Sequence, residues 1–325
     1  MRRISALALL SLALLTLTAP VHAQFVINPT FTANFNANFG ANAAAAQAAW
    51  IAAANVFSTN FNDNITVNIT VDAVAGTSVF GQSNTFLLSS SYAGLRAAVV
   101  TDAKTSTDNT AIGAGGSMTV ADPATGTHTW WVSRAQAKAL GLIASDGNND
   151  GTTTFGAGNP FTFSGSITAG TFDFKGVAAH EISEVLGRLG ISGGTIGSFP
   201  NSYSLIDNFS YSAANTKGLG NGGGLFFSFD NGTSLLKLYN NAASNGLDSR
   251  DWAPGTNDAF NQFSNSGVVN PVSAVDFQVM DAIGYDFVAV PEPATVALMG
   301  LVVAAVGYQG WRYRRHRLAA LEQKI

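Results

Sequence analysis

The chain has no cysteine, which excludes disulfide staples, thiolate metal sites, iron–sulfur clusters and cysteine nucleophiles. Only 11% of the residues are charged, and among 325 there are four glutamates and four histidines, so any site that gathers these types stands out. Basic residues are also sparse in the body. Between Gln24 and Val290, nine lysines and arginines stand against sixteen aspartates and two glutamates, a balance of −9. With that sign and no basic stripe, the body repels phosphate backbones, and no nucleic-acid partner is expected. A hydrophobic share of 46%, with 22 Phe and 5 Trp, can fill a core despite 34 Gly, so an ordered body is expected.

The two ends read as addresses. Met1-Arg2-Arg3, an apolar run from Ile4 to Leu15 and the small-residue site Val21-His22-Ala23 make a signal peptide over residues 1–23, with cleavage before Gln24. At the other end, residues 291–325 open with Pro291-Glu292-Pro293. An 18-residue apolar segment, 294–311, follows, then Arg312, Arg314, Arg315, His316 and Arg317. Eighteen apolar residues just cross a hydrocarbon core, and the arginines hold the far side in the cytoplasm, which leaves the body outside. These three parts resemble a PEP-CTERM sorting signal. The resemblance implies export from a Gram-negative cell, an inner-membrane intermediate held by the C-terminal helix, exosortase as a partner near the triplet, and delivery to the cell surface or medium.

Within the body, residues 41–57 are rich in Ala around Trp50 and predict a helix. Residues 64–74 alternate Ile65, Val67, Ile69 and Val71 with polar partners, the period of a half-buried strand. A short helix is expected over 92–100, a strand running into a helix over 130–142, a hairpin over 152–163 and an apolar patch over 275–287. Asp146, Asn148, Asp150 and Gly151 match the first positions of a calcium loop. Position 12 is Ala157 where a bidentate Glu is needed, so a plain turn is the preferred reading.

Residues 174–189 carry the chemistry. At helical spacing Ala178, Ile182, Val185, Leu186 and Leu189 share one stripe, while His180, Glu181, Glu184 and Arg188 project from the other side. His180 and Glu184, four apart, lie on adjacent turns and can grip one ion, and Glu181 is turned toward a water beside it. Glu184 stands where H-E-x-x-H has its second His. Both glutamates of the body lie within four residues of His180, one of its two histidines. An exposed Glu184–Arg188 pair on a solvated face is the plainer alternative.

The stretches 169–188, 203–212 and 279–286 resemble zincin-type metalloproteases that carry PEP-CTERM signals, and the likeness runs from about residue 31 to 287. It implies a metzincin-like α+β domain over 24–290, with a Gly/Asn-rich, mostly β C-terminal half, acting as a metal-dependent peptidase on protein or peptide substrates. His180 carries over as a metal ligand, Glu181 as the general base that takes a proton from metal-activated water, and Glu184 stands at the second ligand position. Gly190 falls where a metzincin has its third His. The third ligand must come from elsewhere, with Asp207 the first candidate and His128 the second. Met280 and Tyr285 are candidates for a Met-turn or for plain core. Zinc is the expected ion, and two carboxylates in place of imidazoles also suit Mn²⁺ or Ca²⁺. The alternative is a catalytically degenerate zincin-like surface or matrix protein. A glycosidic reading, with Trp130, Trp131 and Trp252 as platforms, ranks last.

Overall fold

A computed structural model of the chain describes residues 25–288 and Tyr308. The signal peptide, the Pro-Glu-Pro triplet and, apart from Tyr308, the expected transmembrane helix lie outside the described residues. Among the described residues no helix is long and apolar enough to cross a membrane.

The architecture is α+β with mixed sheets. The first sheet takes β1 (Val26–Phe31), β2 (Thr66–Val74), β3 (Gly81–Thr85) and β6 (Gly151–Gly156) in the order β1-β2-β6-β3. β1, β2 and β6 are parallel, and β3 runs antiparallel along β6 as an edge. Val67, Ile69, Val71 and Ala73 of β2 face the core while their neighbours are half-buried, as the alternation predicts. The helix expected over 41–57 forms as α2 (Ala43–Ser58), preceded by a short α1 (Ala33–Phe39) outside the expected range, with Trp50 fully buried and its indole N–H donating to Thr153 of β6.

A second sheet joins β4 (Leu87–Ser90), β5 (Thr129–Ser133), β9 (Gly194–Ile196) and β10 (Phe199–Ser204) in the order β4-β5-β10-β9. Helices α3 (Tyr92–Asp102) and α4 (Ser106–Ile112) lie between β4 and β5, and α5 (Arg134–Ala139) follows β5. The hairpin expected over 152–163 is absent. β6 is an interior strand paired to β2 and β3, and the short β7 (Phe161–Thr162) pairs in parallel with β8 (Phe172–Asp173) instead. Burial overrides the local turn signal here, since Phe155 is wholly enclosed and its ring packs at a tilt against Phe174.

Helix α6 (Phe174–Val185) starts at Asp173, whose carboxylate accepts from the Lys175 amide, and the chain turns away at Gly187, which has φ +107°. Beyond it the chain forms β11 (Ser210–Ala213), β12 (Thr216–Lys217), β13 (Phe226–Phe227) and β14 (Lys237–Leu238), an antiparallel sheet in the order β12-β11-β13-β14, then α7 (Ala242–Asn245) and α8 (Ala274–Ala282). The apolar patch near the end is thus α8 and the strand-like tail behind it, where Phe61 pairs with Phe287. α6 lies against α2 on one side and against β3 and β6 on another, so both its faces are enclosed.

Candidate metal centre

Enclosure decides what the polar side of α6 is. Glu181, Glu184 and Arg188 are all buried, the last to 1% exposure, so the Glu184–Arg188 pair is not a solvated decoration. Burying a charge is costly unless it is paired, and each of these groups except Glu181 has partners. Arg188 Nη1 lies 2.6 Å from Asp251 Oδ1, its Nη2 is 3.8 Å from Glu184 Oε1, and its guanidinium stacks 4.4 Å over the Phe260 ring. Ser83 of β3 donates to Glu184 Oε2 at 2.7 Å.

His180 completes the group. Its Nδ1 lies 2.9 Å from the Ala259 carbonyl, which can only accept, so Nδ1 carries the hydrogen and Nε2 is left with a lone pair or a proton. Nε2 stands 3.4 Å from Glu184 Oε1 and 3.6 Å from Asp251 Oδ2. One ligand atom from each of His180, Glu184 and Asp251 lies within 4.8 Å of the other two, the only such group of three among the described residues. A nitrogen and two carboxylate oxygens suit zinc or manganese, and the imidazole oriented by a backbone carbonyl is the usual support for a metal-bound His. The residues present therefore fit a divalent ion.

Asp251, absent from the sequence reading, is the third member of this group. Asp207 and His128 do not join the group. Asp207 is buried and consumed by other bonds: it accepts from the amides of Ile191, Ser192 and Ser204 and lies 2.9 Å from Arg250 Nε. Its role is to hold Arg250, the residue next to Asp251. His128 bonds the Gly126 carbonyl and Asp122, in the segment leading into β5. No motif marks Asp251. The signal that could have found it is Gly190, whose missing side chain leaves the room that Ser249 and Arg250 occupy. Met280 and Tyr285 are core residues, with the Tyr285 hydroxyl donating to the Leu186 carbonyl at 2.7 Å, just past α6. Trp130, Trp131 and Trp252 are buried, their ring N–H groups spent on Asp122, Ser202 and Asp276, so none is a sugar platform.

The electrostatics follow from packing. For His180, burial opposes the imidazolium, but Asp251 and then Glu184 outweigh it and push its pKa up to about 10. For Glu184, burial favours the acid, yet His180 and Arg188 hold it down at about 2. Glu181 is pushed well above the usual carboxylate range, first by burial and then by Glu184. Its Oε1 rests over β3, since a Cβ on Gly81 would come within 2.3 Å of it. All of these groups open onto one cleft of about 630 Å³, walled by Phe80, Phe172, Val177, Leu189, Leu247 and Phe263.

Residues 289–315 match the PEP-CTERM protein-sorting motif. No curated protein and no solved structure matches the chain. The motif begins one residue after the last residue of the continuous described fold, and it marks the chain as an exosortase-sorted extracellular protein of the Gram-negative type.

Proposed function

We propose that the body is a metal-dependent peptidase of metzincin-like fold, zinc being the first ion to test. The observation that carries this reading is the convergence of His180, Glu184 and Asp251 within 4.8 Å, with an unpartnered Glu181 one residue beyond His180. His180 Nε2, Glu184 Oε1 and Asp251 Oδ2 would hold the ion. When bound, a divalent ion supplies Lewis acidity toward a water and a peptide carbonyl. Glu181 is the proton acceptor: burial and then Glu184 push its pKa up, and positive charge added beside it favours the ionised, base-competent form. Arg188 holds the Asp251 carboxylate in place through Oδ1, leaving Oδ2 turned to His180. The edge strand β3 contributes Gly81, Gln82 and Ser83 to the cleft, and an extended peptide can add to such an edge through main-chain hydrogen bonds. Two carboxylates lower the charge of the ion more than imidazoles do, so slow turnover is expected.

One observation favours the alternative of a catalytically inert surface or matrix protein. With His180 protonated, His180 and Arg188 balance Glu184 and Asp251 with no metal at all. Metal analysis separates the two. Stoichiometric ion that is lost in His180→Ala, together with casein hydrolysis lost in Glu181→Gln while the ion stays, supports the peptidase. A protein that takes up no zinc or manganese at millimolar supply is the inert one.

A further inference from the structure

Sixteen of the eighteen carboxylates in the described body accept a hydrogen bond or meet a cation within 4 Å. The two that do neither are Glu181 and Asp248, and both line the same cleft. Glu181 is assigned above as the proton acceptor, and it is 5% exposed, so a buried unpartnered carboxyl points into this space. Asp248 has no such assignment. It sits three residues before Asp251 on the cleft wall, exposed, between the half-exposed Leu247 and the buried Ser249.

The cations nearest to Asp248 are taken by other groups: Arg188 contacts Asp251 and Glu184, and His180 Nε2 faces the same two carboxylates. Asp248 is thus a carboxylate of the cleft wall with no cation within 4 Å. Partial desolvation at the wall and the negative charge of Glu184 and Asp251 push its pKa up to about 6, which a cation placed against it would reverse.

We infer that Asp248 is a specificity-determining residue that receives a cationic group of the bound peptide, beside an apolar side chain seated against Leu247 and Phe263. This deepens the peptidase reading and rests on it for the word substrate, but the binding preference stands or falls separately. The cation can be a lysine or arginine side chain or a free amino terminus, and both present the same charged N–H donors.

The test measures binding of three peptides of equal length and a common Phe to the Glu181→Gln protein loaded with zinc. One is acetylated and amidated with an internal Lys, one has a free amino terminus and no Lys, and one is acetylated and neutral. At low salt the cationic peptide of the correct kind should bind about three- to fivefold tighter than the neutral one, the range an exposed charge pair supplies, and the advantage should shrink in molar salt. Asp248→Asn should remove the preference and Asp248→Lys should turn it toward a Glu peptide. Which cationic peptide gains identifies the source. Equal binding of all three, or a preference that survives Asp248→Asn, overturns the inference, as does no binding of any. Hydrolysis of casein by the wild type is followed in parallel. Hydrolysis without cation preference sinks the inference alone, and cation-selective binding without hydrolysis sinks the peptidase alone.

Discussion

Gly190 and Arg250 touch so closely that a side chain on the first has nowhere to go: a Cβ on Gly190 would stand 2.3 Å from Arg250 Cγ and 2.5 Å from Ser249 Oγ. Gly190 is thus the floor on which the 249–251 segment lies, and that segment delivers Asp251. Ser249 is fixed to Ser192 at 2.6 Å and Arg250 to Asp207 at 2.9 Å, so the carboxylate arrives on a braced chain.

A histidine placed at 190 should therefore disturb the cluster rather than add a ligand to it. Gly190→His and Gly190→Ala are both expected to displace 249–251, to lower stability by about 1–3 kcal/mol as overpacking does, and to weaken zinc binding at least tenfold. Denaturant titration and competition with a chelating dye measure the two effects. A Gly190→His protein that binds zinc more tightly than wild type would refute this account of Asp251.

The loop at 146–151 has its own internal cation. Lys138 is fully buried, with its ammonium 2.6 Å from Asp150 Oδ2, 3.2 Å from Asp146 Oδ1 and 3.1 Å from the Thr66 carbonyl. A lysine thus fills the place that the first half of the calcium-loop pattern suggests for an ion. Calcium at millimolar concentration should leave thermal stability unchanged at this loop. Lys138→Met should cost about 3–5 kcal/mol by leaving Asp150 buried with the Asn68 amide and the 3.4 Å contact to Arg134 but no closer cation, as read by urea unfolding.

Much of this was legible in the sequence, and the reasons for the rest are specific. The alternation of β2, the Ala-rich α2 and the His180/Glu184 spacing on α6 are local patterns, and local patterns survive into the fold. Asp251 and Lys138 act across 67 and 12 residues of chain from Glu184 and Asp150, and no periodicity carries such pairings. Asp207 misled because a buried aspartate in a polar segment reads alike whether it binds a metal or braces an arginine. The missing hairpin at 152–163 has the same root, since β6 finds its partners in β2 and β3, far back in the chain.

Stability should fall as pH rises from about 5 to 7. Asp63 is pushed up to about 8, first by burial and then by Asp286, while burial and neighbouring acids raise Asp281 and Asp276 to about 7 and Asp102 to about 6. Each folded value exceeds the unfolded one near 3.8, so the folded chain holds more protons in this window; the stabilisation is full below about 4 and is lost as pH passes the folded values. Glu184, held down at about 2, acts only in acid and does not offset this. Asp63 accepts from the Asp286 amide, close to where the fold meets the sorting motif. Asp63→Asn should flatten the fall in Tm between pH 5 and 7, and an unchanged slope would exclude Asp63 as its main source.

Gly81 offers a way to move Glu181 without touching the ion's ligands. A Cβ there would lie 2.3 Å from Glu181 Oε1 and 2.8 Å from Val177 Cγ1, and its nearest neighbours include none of His180, Glu184 and Asp251; the partners of His180 and Asp251 come from elsewhere in the chain, and Ser83, two residues along β3, holds Glu184. Val177 is packed in the core, so the carboxyl is the group free to shift, away from β3 and off the face toward the cleft. A displacement of about 1 Å in a reacting group can cost on the order of a hundredfold in rate. Gly81→Ala is therefore expected to keep its zinc stoichiometry and to lose most of its kcat, with KM for a peptide changed far less, since the walls that hold the peptide stay in place. Parallel loss of metal would instead place Glu181 among the groups that hold the ion. Full activity in Gly81→Ala would remove Glu181 from the proton-accepting role and return the peptidase reading to the convergence of His180, Glu184 and Asp251 alone.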